Sequence, residues 1–494
     1  MAQPPDPRFE KDRALYYRQL RETVTCVFAP ELSSATAQDS ARLIDRILAE
    51  FVVEEEDGDA LSQEFGGQFA ALLGTGDDRR GTPITREEFV VLRGQAADRV
   101  AVGSPASDDG ERRRALDLAD VERRYLERVD ELRRAVLDEA QPRSRKGERA
   151  GATGTSVSAE QVAAYLRRVS DSPSLEVTAV EPIPGGRSKE TLVVSLVGTA
   201  ALPPQVVVRR DRPVGLLQTR AREEFAVLEA VHAHGGVPVP RPFFADEAPE
   251  ELADVSGEAD SAGLTVLVME KVDGKRAGEY FPEIAAPPPA HRPALGAQLA
   301  SALARLHSVP LSSLVGTGLD TDAGVSADAL AAAVDGMAGR IEELSGPPIV
   351  TVPLARRWLL DRIDDALSAE TRCLLQSDVG LHNMLVVGDR LTALVDWEAA
   401  TVGPPARELA AAWPAATALM GWDAFATAYL AAGGPPEATD PRAVAYFRVF
   451  LCLGGVMTSR TGGHLFRTGG KRDLVTAHSG IDAHFRAQRN LARA

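Results

Sequence analysis

The sequence predicts an α+β chain in which an all-α region precedes a small mixed-strand lobe and a larger helical lobe. Three observations point to it. Apolar residues recur at three- and four-residue spacing through the first 140 residues. Short Val- and Leu-rich runs, separated by turn residues, follow between 176 and 272. Helical periodicity then returns from 295 onward. A length of 494 residues accommodates two or three domains. The 44% apolar and 26% charged content is that of a globular chain.

In the first region Leu43, Ile44, Ile47, Leu48 and Phe51 share a helical face, with Asp39 or Ser40 as the expected cap. Thr85 and Glu88 make a capping-box pattern ahead of Phe89, Val90 and Leu92. Leu118, Val121, Tyr125, Val129, Leu132 and Val136 form an apolar stripe backed by Arg and Glu. The acidic run Glu54-Glu55-Glu56-Asp57 is expected at a solvated helix end. Residues 141–157, rich in Pro, Arg, Gly, Ser and Thr, read as a linker. Beyond it come a short helix at 162–169 and strands at 176–183, 191–197 and 205–210, with Gly185-Gly186 turning between the first two. A helix at 219–233 and a strand at 265–272 complete the small lobe, and the acidic stretch 246–262 reads as a loop. The expected division is 1–140 helical, 141–157 linker, 158–273 strand-bearing lobe and 274–494 helical lobe, with helices at 295–307, 356–367, 406–419 and 442–457.

No secretory signal pattern opens the chain, and no apolar run reaches bilayer length. Cys26, Cys373 and Cys452 are too dispersed for a disulfide framework or a metal cage, so a reducing cytoplasm is the expected compartment. A net charge of −16 argues against broad nucleic-acid binding.

The chemistry concentrates in 374–398. Asp378 stands five residues before Asn383, and Asp396 follows the apolar run 391–395, which reads as a strand. Two carboxylates and an amide in apolar sequence are poor core material, and a bound cation accounts for them. Phosphoryl transfer from ATP uses such a set: one carboxylate orients the attacking hydroxyl, while an amide oxygen and a second carboxylate hold Mg²⁺ on the phosphates. Upstream, Gly185-Gly186-Arg187-Ser188 can turn backbone amides toward phosphate oxygens. A glycine pair between strands is more often a plain hairpin, and Walker A spacing is absent. Arg209, closing the run Val206-Val207-Val208, suits the α- and β-phosphates, with Glu224 on the next helix to orient it. Taken alone, a strand-end Arg is an ordinary surface residue.

In order and spacing, these pieces resemble the aminoglycoside phosphotransferase and choline kinase-like family over residues 158–490. Gly236-Val237-Pro238-Val239-Pro240, Leu267-Val268-Met269-Glu270 and Leu303-Ala304-Arg305-Leu306-His307 extend the likeness, which is nearest the branch fused to some acyl-CoA dehydrogenases. The resemblance implies a two-lobed protein-kinase-like fold with ATP between the lobes. It implies that Gly185, Gly186, Ser188, Arg209 and Glu224 serve the phosphates. Met269, Glu270 and Val272 would pass the adenine, with Glu270 and Val272 bonding through the backbone. Asp378 would be the base or hydroxyl-orienting residue, and Asn383 and Asp396 would bind Mg²⁺. His307 falls where the family has a packed histidine. Gln376-Ser377 replaces the family's usual His-Gly before the aspartate, Gly403-Pro404-Pro405 replaces Gly-Asp-Pro, and Arg209 stands where many members have Lys.

The expected acceptor is a small-molecule hydroxyl compound, with neither nucleic acid nor membrane as partner. The final segment carries Arg460, Arg467, Lys471, Arg472, Arg486, Arg489 and Arg493. Lining an acceptor cleft, it would favour a hydroxy acid or hydroxyacyl-CoA over a polycationic aminoglycoside; a solvated basic helix is the bland alternative. Two other classes stay open: a nucleotide-binding pseudokinase, and an interaction protein that works or self-associates through its N-terminal helices.

Overall fold

The computed structural model describes residues 13–28, 35–75, 83–102, 109–139, 157–183, 189–211, 221–247, 249–252, 265–278, 286–321, 326–344, 346–367, 371–468 and 484–494. The turn residues Gly185, Gly186, Arg187 and Ser188 and most of the expected linker lie outside them. Two compact units divide the chain. One gathers Met1–Gly151, Ala327–Ile363 and Val449–Ala494; the other gathers Ala152–Ser326 and Asp364–Arg448. The expected helical lobe 274–494 is therefore split. Val350, Leu354 and Ala492 join the apolar core of the N-terminal helices, and their segments go with them. Among the described residues no helix is long and apolar enough to cross a membrane.

The helical unit is built on helices Ala35–Leu73, Arg86–Val102 and Asp109–Glu139. Leu118, Val121, Val129 and Val136 of the predicted stripe are buried, with Phe65, Phe69 and Phe89 against them. The Thr85 capping box forms: Thr85 N–H donates to Glu88 at 3.0 Å and Glu88 N–H to Thr85 Oγ1 at 3.2 Å. Two expectations fail here for one reason, a helix longer than its apolar stripe suggested. It starts at Ala35, so Asp39 and Ser40 lie inside it rather than capping it. The run Glu54–Asp57 lies mid-helix, where Glu56 accepts both nitrogens of the Arg18 fork at 2.6 and 2.7 Å.

The basic C-terminal segment is solvated only in part, with Arg467 and Arg493 exposed. Arg460, Arg486 and Arg489 are buried, and Lys471 and Arg472 lie outside the described residues. Arg460 donates to the Leu344 and Pro347 carbonyls at 3.2 and 3.1 Å, and Arg489 pairs with Asp130. Buried Arg93 meets Glu122 at 2.6 Å, and the other Glu122 oxygen accepts the Thr351 N–H at 2.7 Å. Arg93 also lies over the Phe89 and Tyr125 rings. Glu122→Ala would strand the guanidinium and one amide, so chemical denaturation should show a loss of about 3–5 kcal/mol. A loss within experimental error would remove this pair from the unit's support.

In the second unit Ser158 and Gln161 cap the helix Ala159–Val169 reciprocally. Strands follow at β1 (Glu176–Ile183), β2 (Lys189–Val197), β3 (Gln205–Asp211), β4 (Pro242–Glu247) and β5 (Thr265–Glu270), with the helix Ala221–His234 between β3 and β4. They pair antiparallel in the order β1-β2-β3-β5-β4. β4 was not foreseen, and it takes the first residues of the expected acidic loop. Pro242 opens it, where a missing N–H costs least. Alternation gives the sheet two apolar faces. Leu192, Val194, Val206, Val208, Val266 and Val268 pack with the helix Ala159–Val169. Val207, Leu267 and Met269 join the core that also holds Leu299, Leu303, Leu374 and Leu409. The remaining strands are β6 (Lys275–Arg276), β7 (Cys373–Leu375), β8 (Met384–Val387), β9 (Arg390–Leu394) and β10 (Thr401–Gly403), arranged as β6-β8-β9 and β10-β7. The helices Arg292–Leu306, Pro405–Leu419 and Trp422–Ala431 pack beneath them.

Candidate active site

Strand alternation sends Arg209 and Arg210 to opposite faces of the sheet. Arg210 is spent locally, on the Leu252 carbonyl at 2.7 Å and on Glu190 at 3.1 Å. Arg209 is paired in register with Leu267 and shares its face. Its Nη1 donates to Glu224 Oε1 at 2.5 Å and its Nη2 to Asp396 Oδ1 at 2.8 Å. Glu224 lies in the first turn of the helix Ala221–His234, as expected. Burial works against the charged guanidinium, but Glu224, Asp396 and Glu398 more than offset it and raise its pKa.

Below this clamp, the loop after β7 carries Gln376, Ser377, Asp378 and Asn383. Asn383 Nδ2 donates to the Asp378 carbonyl at 3.0 Å and to Asp378 Oδ2 at 2.8 Å. His382 Nε2 stands 3.3 Å from the same carboxylate oxygen. The Asn383 carbonyl accepts the Val395 N–H at 3.0 Å, which joins the loop to the segment bearing Asp396. Gln376 ties the same two segments through its side chain. Its Nε2 donates to the Val395 and Asp396 carbonyls, both at 2.9 Å, and its Oε1 accepts the Asp378 N–H at 3.1 Å. Trp397, buried, donates Nε1–H to Leu394 O at 3.0 Å and anchors the turn in which Asp396 adopts φ 66.

Ser377 also has positive φ, 69, and its Oγ is buried without a hydrogen-bond partner among the described residues. A glycine would sit there at lower cost. The neighbouring backbone holds the strained residue in place. Glu408, fully buried in the helix Pro405–Leu419, accepts the Gln376 N–H at 2.7 Å and the Ser377 N–H at 2.9 Å. Three successive amides, at 376, 377 and 378, are thus fixed by two side chains.

The expected adenine segment begins at the end of β5. The Glu270 N–H is taken by the Arg241 carbonyl at 2.8 Å, because β5 is still paired there, so that N–H is not offered to a base. Among the described residues the Val272 N–H donates to no backbone carbonyl. Met269 is buried at the end of β5. His307 is a packed residue: its Nδ1 meets the Tyr429 hydroxyl at 2.6 Å, and burial pushes its pKa down to about 3.

The donor set suits Mg²⁺. Asp396 Oδ2 and the Asn383 amide oxygen accept no hydrogen bond among the described residues. No three His, Cys, Asp or Glu side chains form a ready cage among those residues. That fits an ion normally held by one or two protein oxygens, waters and substrate phosphates. Four neighbours were missed as contributors by sequence reasoning. Gln376 stands out in sequence only as a departure from the family pattern, and Glu398 and Glu408 carry no local mark; the fourth, Lys189, starts β2 and is buried against Glu224 at 2.5 Å. A lysine opening a Val- and Leu-rich alternating run was the available signal.

Burial pushes the Glu408 carboxyl up to about 7, and the two backbone donors lower it only in part. Its folded pKa exceeds the unfolded 4.5, so its stabilising contribution is full below about 4.5 and is lost as pH rises through about 7. Glu408→Gln should flatten that decline in denaturation midpoints between about pH 5 and pH 7.5. It should also destabilise by about 1–3 kcal/mol, since an amide presents one acceptor to two N–H groups. Equal pH slopes would exclude Glu408 as the titrating group.

The sequence pattern of the phosphotransferase enzyme family matches residues 179–447, more than half of the chain. Acyl-CoA dehydrogenase family member 11 from Pongo abelii is 27% identical over 277 residues, 53% of this chain and 32% of that protein. The Rattus norvegicus protein of that name is 29% identical over 211 residues, 42% of this chain and 25% of its own length. The match thus spans a third or less of these relatives. A crystal structure from Ralstonia eutropha JMP134, assigned by name to the aminoglycoside phosphotransferases, superposes with a TM-score of 0.50 at 18% identity. It covers 68% of this chain and 98% of that one, and supports the two-lobed kinase-like fold. With its family pattern matched over more than half of its length, the chain belongs to the phosphotransferase enzyme family.

Proposed function

We propose that the chain transfers the γ-phosphoryl group of ATP to a hydroxyl of a small molecule. One observation carries the reading: the Gln376 side chain fastens the loop bearing Asp378 and Asn383 to the segment bearing Asp396, beneath the Arg209 clamp. Asp378 Oδ2 is held by Asn383, while Oδ1 accepts no hydrogen bond among the described residues and the side chain is 40% exposed. That oxygen takes the proton of the acceptor hydroxyl as the new O–P bond forms. The bond from the γ-phosphorus to the bridging oxygen breaks, and ADP leaves. Asn383 and Asp396 would hold Mg²⁺, which neutralises phosphate charge when bound. The backbone of Glu270 and Val272 would serve the adenine, and Gly185, Gly186 and Ser188, which lie outside the described residues, are assigned to the phosphates from sequence alone.

For the acceptor we favour a hydroxy acid or hydroxyacyl-CoA. The similarity to acyl-CoA dehydrogenase family member 11 supports this class. The basic C-terminal segment no longer does, since three of its arginines are buried in the helical unit. The pseudokinase alternative rested on Gln376-Ser377, and it is disfavoured by the hydrogen bonds that Gln376 makes.

The test is ATP consumption with Mg²⁺ across hydroxy acids, hydroxyacyl-CoAs, macrolides and aminoglycosides. Turnover is expected with one acceptor class, and Asp378→Ala should cut it by roughly 10²–10⁴-fold with little change in ATP affinity. Nucleotide binding without transfer to any acceptor would favour the pseudokinase; full activity in the variant would remove Asp378 from the mechanism.

A further inference from the structure

The helix Pro441–Thr468 ends in the helical unit, where Arg460, His464 and Arg467 recur at i, i+4 and i+7 and share one face. Arg460 is only 6% exposed. It donates Nε to the Leu344 carbonyl at 3.2 Å and Nη1 to the Pro347 carbonyl at 3.1 Å, and it pairs with no carboxylate among the described residues. A side chain at Gly346 would begin 3.0 Å from its Nη2, so the glycine leaves room beside that nitrogen. The same turn brings in Arg93. Pro348 Cγ lies 3.3 Å from where a side chain on Gly94 would begin, and Thr351 donates its N–H to Glu122, the partner of Arg93. Arg93 is 5% exposed, and its Nε is buried without a hydrogen-bond partner among the described residues. His464 Nδ1 is buried in the same condition.

The local charge is positive. Burial first, then the charges of Arg467 and Arg93, hold the Arg460 pKa down. Burial, then Arg460, Arg467 and Arg93, push His484 down to about 3, and its Nδ1 meets Ser459 Oγ at 3.0 Å. Glu122 compensates Arg93, but Arg460 has no counter-ion among the described residues, and a buried guanidinium in that state is costly. An oxyanion would offset the cost. Arg460 Nη2, Arg93 Nε and His464 Nδ1 offer donor positions on three side chains, and a phosphate has three acceptor oxygens where a carboxylate has two. Exposure rises along the helix from Arg460 through half-buried His464 to exposed Arg467, which opens the group to solvent at that end. We infer that the helical unit binds a phosphate group on Arg460 and Arg93, with His464 beside them and Arg467 at the entrance. The inference does not depend on the phosphotransfer reading. Its ligand is either the free ion or the phosphate group of a small molecule.

The experiment is calorimetric titration of the full chain with inorganic phosphate, glycerol phosphate and acetate at constant ionic strength, for wild type, Arg460→Met, Arg460→Lys and His464→Gln, with thermal unfolding in parallel. Wild type should bind phosphate saturably, and its unfolding midpoint should rise with phosphate concentration. Arg460→Met should weaken phosphate by roughly tenfold or more, and Arg460→Lys should recover part of the loss, since it keeps the charge and loses the fork. His464→Gln should weaken it by about two- to fivefold. Tighter binding of glycerol phosphate than of the free ion would assign the site to a phosphorylated small molecule, and the reverse order to the ion itself. If Arg460→Met does not fold, Arg460→Lys and His464→Gln decide: wild-type phosphate affinity in both would overturn the inference. No phosphate binding in the wild type, or acetate bound as tightly as phosphate, would overturn it as well.

Discussion

Arg209 divides one guanidinium between Glu224, on the helix after β3, and Asp396, in the turn after β9. The strand-bearing lobe and the loop-bearing lobe of the second unit are tied through it. The pairing is buried on the Arg and Glu side, where removing one partner of a charge pair costs several kcal/mol. Exposure rises to 35% at Asp396, where one oxygen is left without a hydrogen bond among the described residues. The ion pair thus fixes position at its closed end and keeps coordination capacity at its open end.

The residues around Asp378 that depart from the family pattern follow the same logic. An amide side chain both donates and accepts, so Gln376 grips two carbonyls and one N–H at once. Ser377 pays for its side chain twice, in positive φ and in an unpartnered hydroxyl, and Glu408 holds it there from below. The loop backbone is held by side chains, with the 376 and 377 amides on Glu408 and the 378 amide on Gln376. A replacement at 376 or 377 changes the means of holding Asp378 without removing the hold.

Much of this was legible in the sequence. Strand positions followed from Val- and Leu-rich runs of period two, and β1 spans 176–183 as read. The spacing of Asp378, Asn383 and Asp396 identified the loop because three oxygen donors in apolar sequence need a common cause. What escaped had physical reasons. Lys189 resembles any charged residue beginning a strand until register shows that it shares a face with Thr191 and Val193. Glu408 lies in a helix, and its bonds to the Gln376 and Ser377 amides cross more than 30 residues. The split of the helical region depends on which apolar stripe each helix finds, and Val350 carries no local mark of its partners. The long helix from Ala35 was shortened in the reading because its apolar positions begin later than its backbone does.

The most direct measurement is a Mg²⁺ titration at fixed ATP, followed by nucleotide binding, for wild type and Asp396→Ala. A clamp that holds Asp396 as an ion ligand predicts that the variant needs at least roughly tenfold more Mg²⁺ to reach half-saturation. Superimposable curves would contradict it.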